Sequence, residues 1–157
     1  MEVTKIKEIG DFSDAYLSKL ALFELASFND AIKDSFDIHF ARYGLSEPKF
    51  KILINLYMAG DQGLIQSELS AKINVSRANI TGLVDRLEKE GLVVRNNDPS
   101  DKRAFRVCLT GRAFALMHAF IPVHNEFMHK IMLPLNKEEK ELLISLLKKL
   151  NKGLESI

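Results

Sequence analysis

Several of the features that most quickly identify a protein's chemistry are scarce or missing in this chain. Among its 157 residues there is one cysteine, Cys108, so no disulfide can close within the chain and nothing points to an oxidising compartment. No uninterrupted apolar run approaches the roughly 18 residues that a membrane span requires, and the N-terminus has no basic segment followed by an apolar stretch. The expected location is therefore the cytoplasm, away from any membrane. Neither sign of charge prevails, with 22 Lys and Arg against 21 Asp and Glu, so any basic footprint must be local. A phosphate-cradling glycine loop, a nucleophile elbow and a paired-histidine metal motif are also missing. The expectation is that the chain is not an enzyme and holds neither cofactor nor metal.

What is present is apolar periodicity. Hydrophobic residues make up 46% of the chain and charged ones 27%, enough for the core of one ordinary domain. From Asp11 to Tyr43 the side chains of Leu17, Leu20, Ala21, Phe28, Ile32, Phe36 and Phe40 return at helical spacing, and Gly44 ends the run. Ser46 and Pro48 read as a cap and a preformed first turn for a second helix, Pro48 to Ala59, with Phe50, Ile52, Leu53, Leu56 and Tyr57 inward. Gly60-Asp61-Gln62-Gly63 breaks the chain. A short helix, Gln66 to Ile73, follows, then a tight connection at Asn74-Val75 with Ser76 as N-cap of the next helix. In that helix, Arg77 to Glu90, the residues Ile80, Leu83, Val84 and Leu87 form the apolar stripe, and Gly91 occupies the C-cap.

The period then changes to alternation. Leu92 to Arg95 and Phe105 to Leu109 read as two strands of a hairpin joined by a polar eight-residue tip, with Phe105, Val107 and Leu109 on one face. Helical spacing returns from Gly111 through Phe114, Met117, Ile121 and Met128, with Pro122 expected to kink or break that helix. Asn136 and Glu139 form a capping box for a last helix lined by Leu142, Leu143, Leu146, Leu147, Leu150 and Leu154.

Two short helices joined by a tight turn, the second with polar side chains on its first turns, form the unit that places a recognition helix in the major groove of double-stranded DNA. Arg77 can offer a guanidinium fork to guanine or phosphate, Asn79 can pair with adenine, and Thr81 can present hydroxyl and methyl to a base edge. Backbone N–H groups around Ser76 add a phosphate site. Arg86 suits phosphate or an ion pair with Asp85 or Glu90. Between Arg95 and Arg106 there are four basic residues, Arg95, Lys102, Arg103 and Arg106, against Asp98 and Asp101. That local excess would suit an adjacent minor groove. Gly82 costs about 1 kcal/mol of helix stability relative to alanine, an expense that a close approach to the preceding helix or to DNA would offset.

The run Val75 to Val93, with Ser76, Arg77, Ala78 and Asn79 at its head, resembles the recognition helix of the MarR family of bacterial and archaeal transcription regulators. Asp98 to Thr110 resembles that family's wing, an Asp-x-Arg at Asp101, Lys102 and Arg103 followed by Leu109-Thr110. The likeness extends over nearly the whole chain. It implies a mainly α, α+β fold: a winged helix-turn-helix over residues 44–110, flanked by N- and C-terminal helices, 1–43 and 111–157, that interleave as a dimerisation region. Arg103 would enter the minor groove with Asp101 orienting its guanidinium. It further implies a ligand-responsive repressor that binds a pseudo-palindromic operator as a homodimer, released by a small aromatic or amphipathic effector. Phe23, Phe40, Tyr43 and Phe114 would be candidate linings for that effector, although core or interface suits them better. Independently, the apolar stripe of the first helix and the leucine-rich last helix exceed what one small lobe can cover, which also favours a homodimer. Reactive-cysteine branches of the family carry their cysteine near the first helix, so Cys108 reads as a packing residue, and His39, His118, His124 and His129 include no metal-binding i, i+4 pair. The competing reading is a winged-helix protein-interaction module that does not contact DNA, against which Arg77, Asn79, Lys102 and Arg103 speak.

Overall fold

The computed structural model describes residues 13–98 and 104–155. Their order is α1 (Asp14–Ala41), α2 (Glu47–Ala59), a 3-10 turn (Gly60–Gln62), β1 (Leu64–Ile65), α3 (Gln66–Ile73), α4 (Arg77–Lys89), β2 (Val93–Asn97), β3 (Phe105–Leu109), α5 (Gly111–Ile131) and α6 (Lys137–Leu154). The chain divides into two compact units, residues 1–52 and residues 53–157.

In the first unit α1 starts at Ser13, whose side chain accepts from the Tyr16 N–H. It stops where Gly44 turns to a φ of 67° and the Leu45 N–H returns to the Phe40 carbonyl. Phe40 is buried, with its ring centroid 5.2 Å from that of Phe50 and 5.9 Å from that of Phe36. Toward the N-terminus the stripe is largely uncovered: Leu17, Ala21 and Phe28 are exposed and Leu20 is half-buried, and Leu22 and Phe23 beside the stripe are exposed as well.

The second unit is built around a three-stranded antiparallel sheet in the order β1-β3-β2. Val93 pairs with Leu109 and Asn97 with Phe105 across the hairpin, while Leu64 pairs with Val107 on the other side. Leu53, Leu56, Leu69, Ile80, Val84, Leu87, Val93, Val107 and Met117 are buried, so Ile80, Val84 and Leu87 of the stripe expected for α4 form its core face, while Leu83 is half-buried. Two strand expectations need correction. β2 runs on to Asn97, and the Asp98 N–H bonds to the Ala104 carbonyl, so ladder pairing continues into the expected eight-residue tip. Phe105 shares a strand face with Val107 but is exposed, because it lies at the end of β3 farthest from the junction with α5.

Pro122 does not break α5, which runs unbroken from Gly111 to Ile131. Thr110 caps that helix, its hydroxyl oxygen accepting from the Ala113 N–H. The capping box of α6 forms as expected: Glu139 accepts from the Asn136 N–H at 2.8 Å and Asn136 accepts from the Glu139 N–H at 2.9 Å. No residue of α6 is buried, and Leu142, Leu146, Leu147, Leu150 and Leu154 remain exposed. Among the described residues no helix is long and apolar enough to cross a membrane.

Candidate nucleic-acid interface

The turn between α3 and α4 is held from both sides. Asn74 takes the left-handed conformation, and the N–H groups of Asn74 and Val75 both donate to the Ser70 carbonyl. The Ser70 hydroxyl in turn donates to the Val75 carbonyl at 2.7 Å. Ser76 then opens α4, its hydroxyl oxygen accepting from the Asn79 N–H at 3.3 Å. Because that oxygen caps the helix, the contribution of Ser76 to an anion site comes through the capped N-terminus rather than a free side chain.

Ser76, Ala78, Asn79, Thr81 and Arg86 are all exposed, while Ile80, Val84 and Leu87 between them are fully buried. One helix therefore separates a core face from a polar face along its whole length. The Thr81 hydroxyl donates to Gln66 Oε1 at 3.2 Å, which links the start of α3 to the polar face of α4. Arg86 donates through Nε to the Gly82 carbonyl of its own helix at 3.1 Å. A Cβ added at Gly82 would meet nothing within 4 Å; the close approach to the preceding helix expected at this glycine is therefore absent.

The far end of α4 is anchored firmly. Gly91, at a φ of 69°, and Leu92 donate back to the carbonyls of Glu88 and Leu87, both at 2.9 Å. Arg112 donates to the Glu90 carbonyl at 3.0 Å, and the Thr110 hydroxyl to the Gly91 carbonyl at 2.9 Å. These bonds satisfy carbonyls that a helix end otherwise leaves open.

The hairpin arginines behave differently from expectation. Arg95 and Arg106 were expected to extend the basic surface of the wing, but both are committed within the unit. Arg95 pairs with Asp85 and Glu88 of α4. Arg106 pairs with Asp98 at 2.6 Å and also donates to the carbonyls of Gln62 and Gly63. Asp98, which faces Arg106, is buried, while Asp85 and Glu88, which face Arg95, are partly exposed; each guanidinium is held by carboxylates of its own unit. Asp101, Lys102 and Arg103 lie outside the described residues, as does the side chain of Arg77.

Sequence reasoning overlooked β1 and the close contact at Gly63. Gly63 adopts a φ of 58°, and a Cβ there would lie 2.5 Å from Cys108 Sγ and closer still to the Val107 carbonyl oxygen. The paired glycines around Asp61 were the available signal, read only as a break.

Residues 45–105 match the model of the MarR family. The chain is 34% identical over 148 residues to the HTH-type transcriptional repressor YetL of Bacillus subtilis, covering 91% of this chain and 89% of that protein. Its fold is similar to that of AbsC, a MarR family transcriptional regulator from Streptomyces coelicolor, with a TM-score of 0.78, 22% identity and coverage of 94% and 99% of the two chains. It is also similar to MepR of S. aureus in a crystal structure of the MepR–DNA complex, with a TM-score of 0.68, 24% identity and coverage of 94% and 100%. The chain is a winged-helix protein that belongs to the MarR family of HTH-type transcriptional regulators.

Proposed function

We propose that this regulator binds a pseudo-palindromic operator in double-stranded DNA as a homodimer and acts as a ligand-responsive repressor. The observation that carries this reading is α4 itself: a capped N-terminal turn with Ser76, Ala78, Asn79 and Thr81 exposed, backed by the fully buried Ile80, Val84 and Leu87. Such a helix can enter the major groove without unfolding any of its core. Residues 44–110 serve as the DNA-binding region in this reading, and 1–43 with 111–157 as the dimerisation region. Arg103, oriented by Asp101 and flanked by Lys102, takes the minor groove, and Arg86 takes phosphate. Repression is favoured by the 34% identity to YetL, a transcriptional repressor.

Dimerisation is supported by the uncovered apolar rows of α1 and α6, with Phe23 69% and Leu154 67% exposed. Contiguous apolar surface of this kind on a water-exposed helix is normally covered by a partner. A cavity of about 430 Å³ lies between Leu56, Tyr57, Val94, Leu109 and Phe114, a size suited to a small aromatic effector. The rings of Tyr57 and Phe114 stack at 5.0 Å on its wall.

The test is a titration against the DNA upstream of the protein's own gene and against scrambled DNA, over a range of salt. Log affinity should fall linearly with log salt, and the native sequence should bind more tightly. A flat salt response, or equal affinity for both duplexes, would refute operator binding. Sedimentation should return twice the 17.8 kDa chain mass.

A further inference from the structure

We propose that Arg95 is a positioning residue for DNA binding: its guanidinium braces the wing against the recognition helix and sets the angle between them. The inference rests on the DNA-binding reading above. Arg95 lies on β2, with Nη1 bonded to Glu88 Oε2 and Nη2 to Asp85 Oδ1. Asp85 and Glu88 stand three residues apart on α4, hence on one face. One planar fork therefore reaches two successive points along the helix, which resists rotation as well as separation.

The place of this contact gives it leverage. At their shared end α4 and β2 are already tied through Gly91, Thr110 and Arg112. That end behaves as a corner, which fixes where the two elements meet and leaves the angle between them to other contacts. The Arg95 fork crosses that angle, joining the second half of α4 to the middle of β2. A strand advances about 3.3 Å per residue, so a tilt at Arg95 grows toward the outer end of the hairpin, the end to which the DNA-binding reading assigns the minor-groove contact. A wing at the wrong angle cannot reach its groove while α4 occupies the neighbouring one.

Simple charge masking is the rival explanation, in which Arg95 only hides two carboxylates from DNA phosphates. The two accounts predict opposite signs. Replacing Asp85→Asn together with Glu88→Gln removes two negative charges and releases Arg95. Masking then predicts tighter binding to every duplex through stronger phosphate attraction. The brace predicts weaker binding to the specific site alone. Side-chain exposures of 48% for Asp85 and 38% for Glu88, against 23% for Arg95, mean that the pairs add little to overall stability, so the effect on DNA is separable from unfolding.

The probe is the tightest-binding duplex that the wild-type protein recovers from randomised DNA, compared with a scrambled duplex of equal length and composition. The double variant should lose about tenfold or more on the selected duplex, hold or gain affinity on the scrambled one, and melt within a few degrees of wild type. Arg95→Lys keeps the charge but not the fork and should lose about three- to tenfold on the selected duplex only; it decides the matter if the double variant does not fold. Unchanged or tighter binding to the selected duplex would overturn the brace, as would equal losses on both duplexes. A wild-type protein that shows no preference between the duplexes would refute the DNA-binding reading first, before any variant is compared.

Discussion

Arg106 on β3 holds Asp98 at the outer end of β2, with Nε 2.6 Å from a carboxylate oxygen whose side chain is only 5% exposed. Two further donations, to the carbonyls of Gln62 and Gly63, tie the same guanidinium to the turn before β1. One arginine thus joins the outer end of β2 to a turn that lies 44 residues before the arginine itself in sequence. Removing it would take an ion pair from a buried carboxylate. Arg106→Met should destabilise the fold by about 2 kcal/mol, less than the roughly 3–5 kcal/mol of a fully buried broken pair because Arg106 itself is 29% exposed. Urea denaturation checks this, and the Asp98→Asn/Arg106→Met double variant should cost less than the sum of the singles.

Gly63 tolerates no side chain. Its positive φ and the collision of an added Cβ with the Val107 carbonyl and Cys108 Sγ act together. Gly63→Ala should cost about 2 to 3 kcal/mol. A thermal midpoint unchanged from wild type would contradict the packing described at this turn.

Gly82 presents the reverse case. It lies inside a helix with open space where a Cβ would go, so Gly82→Ala should stabilise the protein by about 0.5 to 1 kcal/mol. Operator affinity measured on the same variant shows whether DNA needs that space. A stabilised protein with weakened binding places the duplex against Gly82, and a stabilised protein with unchanged binding leaves that surface free. A loss of stability would be inconsistent with the open environment.

Asn79 and Ser76 should separate base reading from helix capping. Asn79→Ala is expected to relax preference at one base position by about 1 to 3 kcal/mol, while its stability stays near wild type. Ser76→Ala removes the cap on α4 and should cost about 1 kcal/mol of stability. Equal losses on operator and random DNA for Asn79→Ala would exclude a base contact.

His39 adds a pH dependence. It is buried in α1 beside Phe40 and Tyr43, and burial, then the Arg42 guanidinium, hold its pKa below the ordinary 6.5. The folded state therefore favours the neutral ring. Its stabilising contribution is complete above pH 6.5 and is lost as pH falls below that value, levelling off beneath the folded pKa. The urea midpoint should drop between about pH 7 and pH 5, and His39→Phe, which keeps an aromatic ring but takes no proton, should flatten that drop. The same slope in both proteins would dismiss His39 as the cause.

Much of this fold was legible along the chain because its signals are local. Ser76 at an N-cap, Gly91 at a C-cap, Asn136 with Glu139, and the stripe Ile80, Val84, Leu87 each involve residues within a few positions of one another. Helical period and capping chemistry act over that range. The two-residue strand β1 was not legible, since it exists only through pairing with β3. Of the kink or break expected at Pro122, the break does not occur, because α5 continues through it as one helix.

The amino-acid sequence by itself determined the order of the helices, the helix-turn-helix with its hairpin, and the separation of polar from apolar faces on α4. Those features follow from periodicity and from side chains bonding to their own backbone neighbourhood. Tertiary structure alone decided that Arg95 and Arg106 are held in ion pairs. Arg95 and Arg106 look the same as any basic wing residue until folding brings Asp85, Glu88 and Asp98 within reach. An ion pair depends on distances through space, and residues far apart along a chain have none until the sheet and helix have packed.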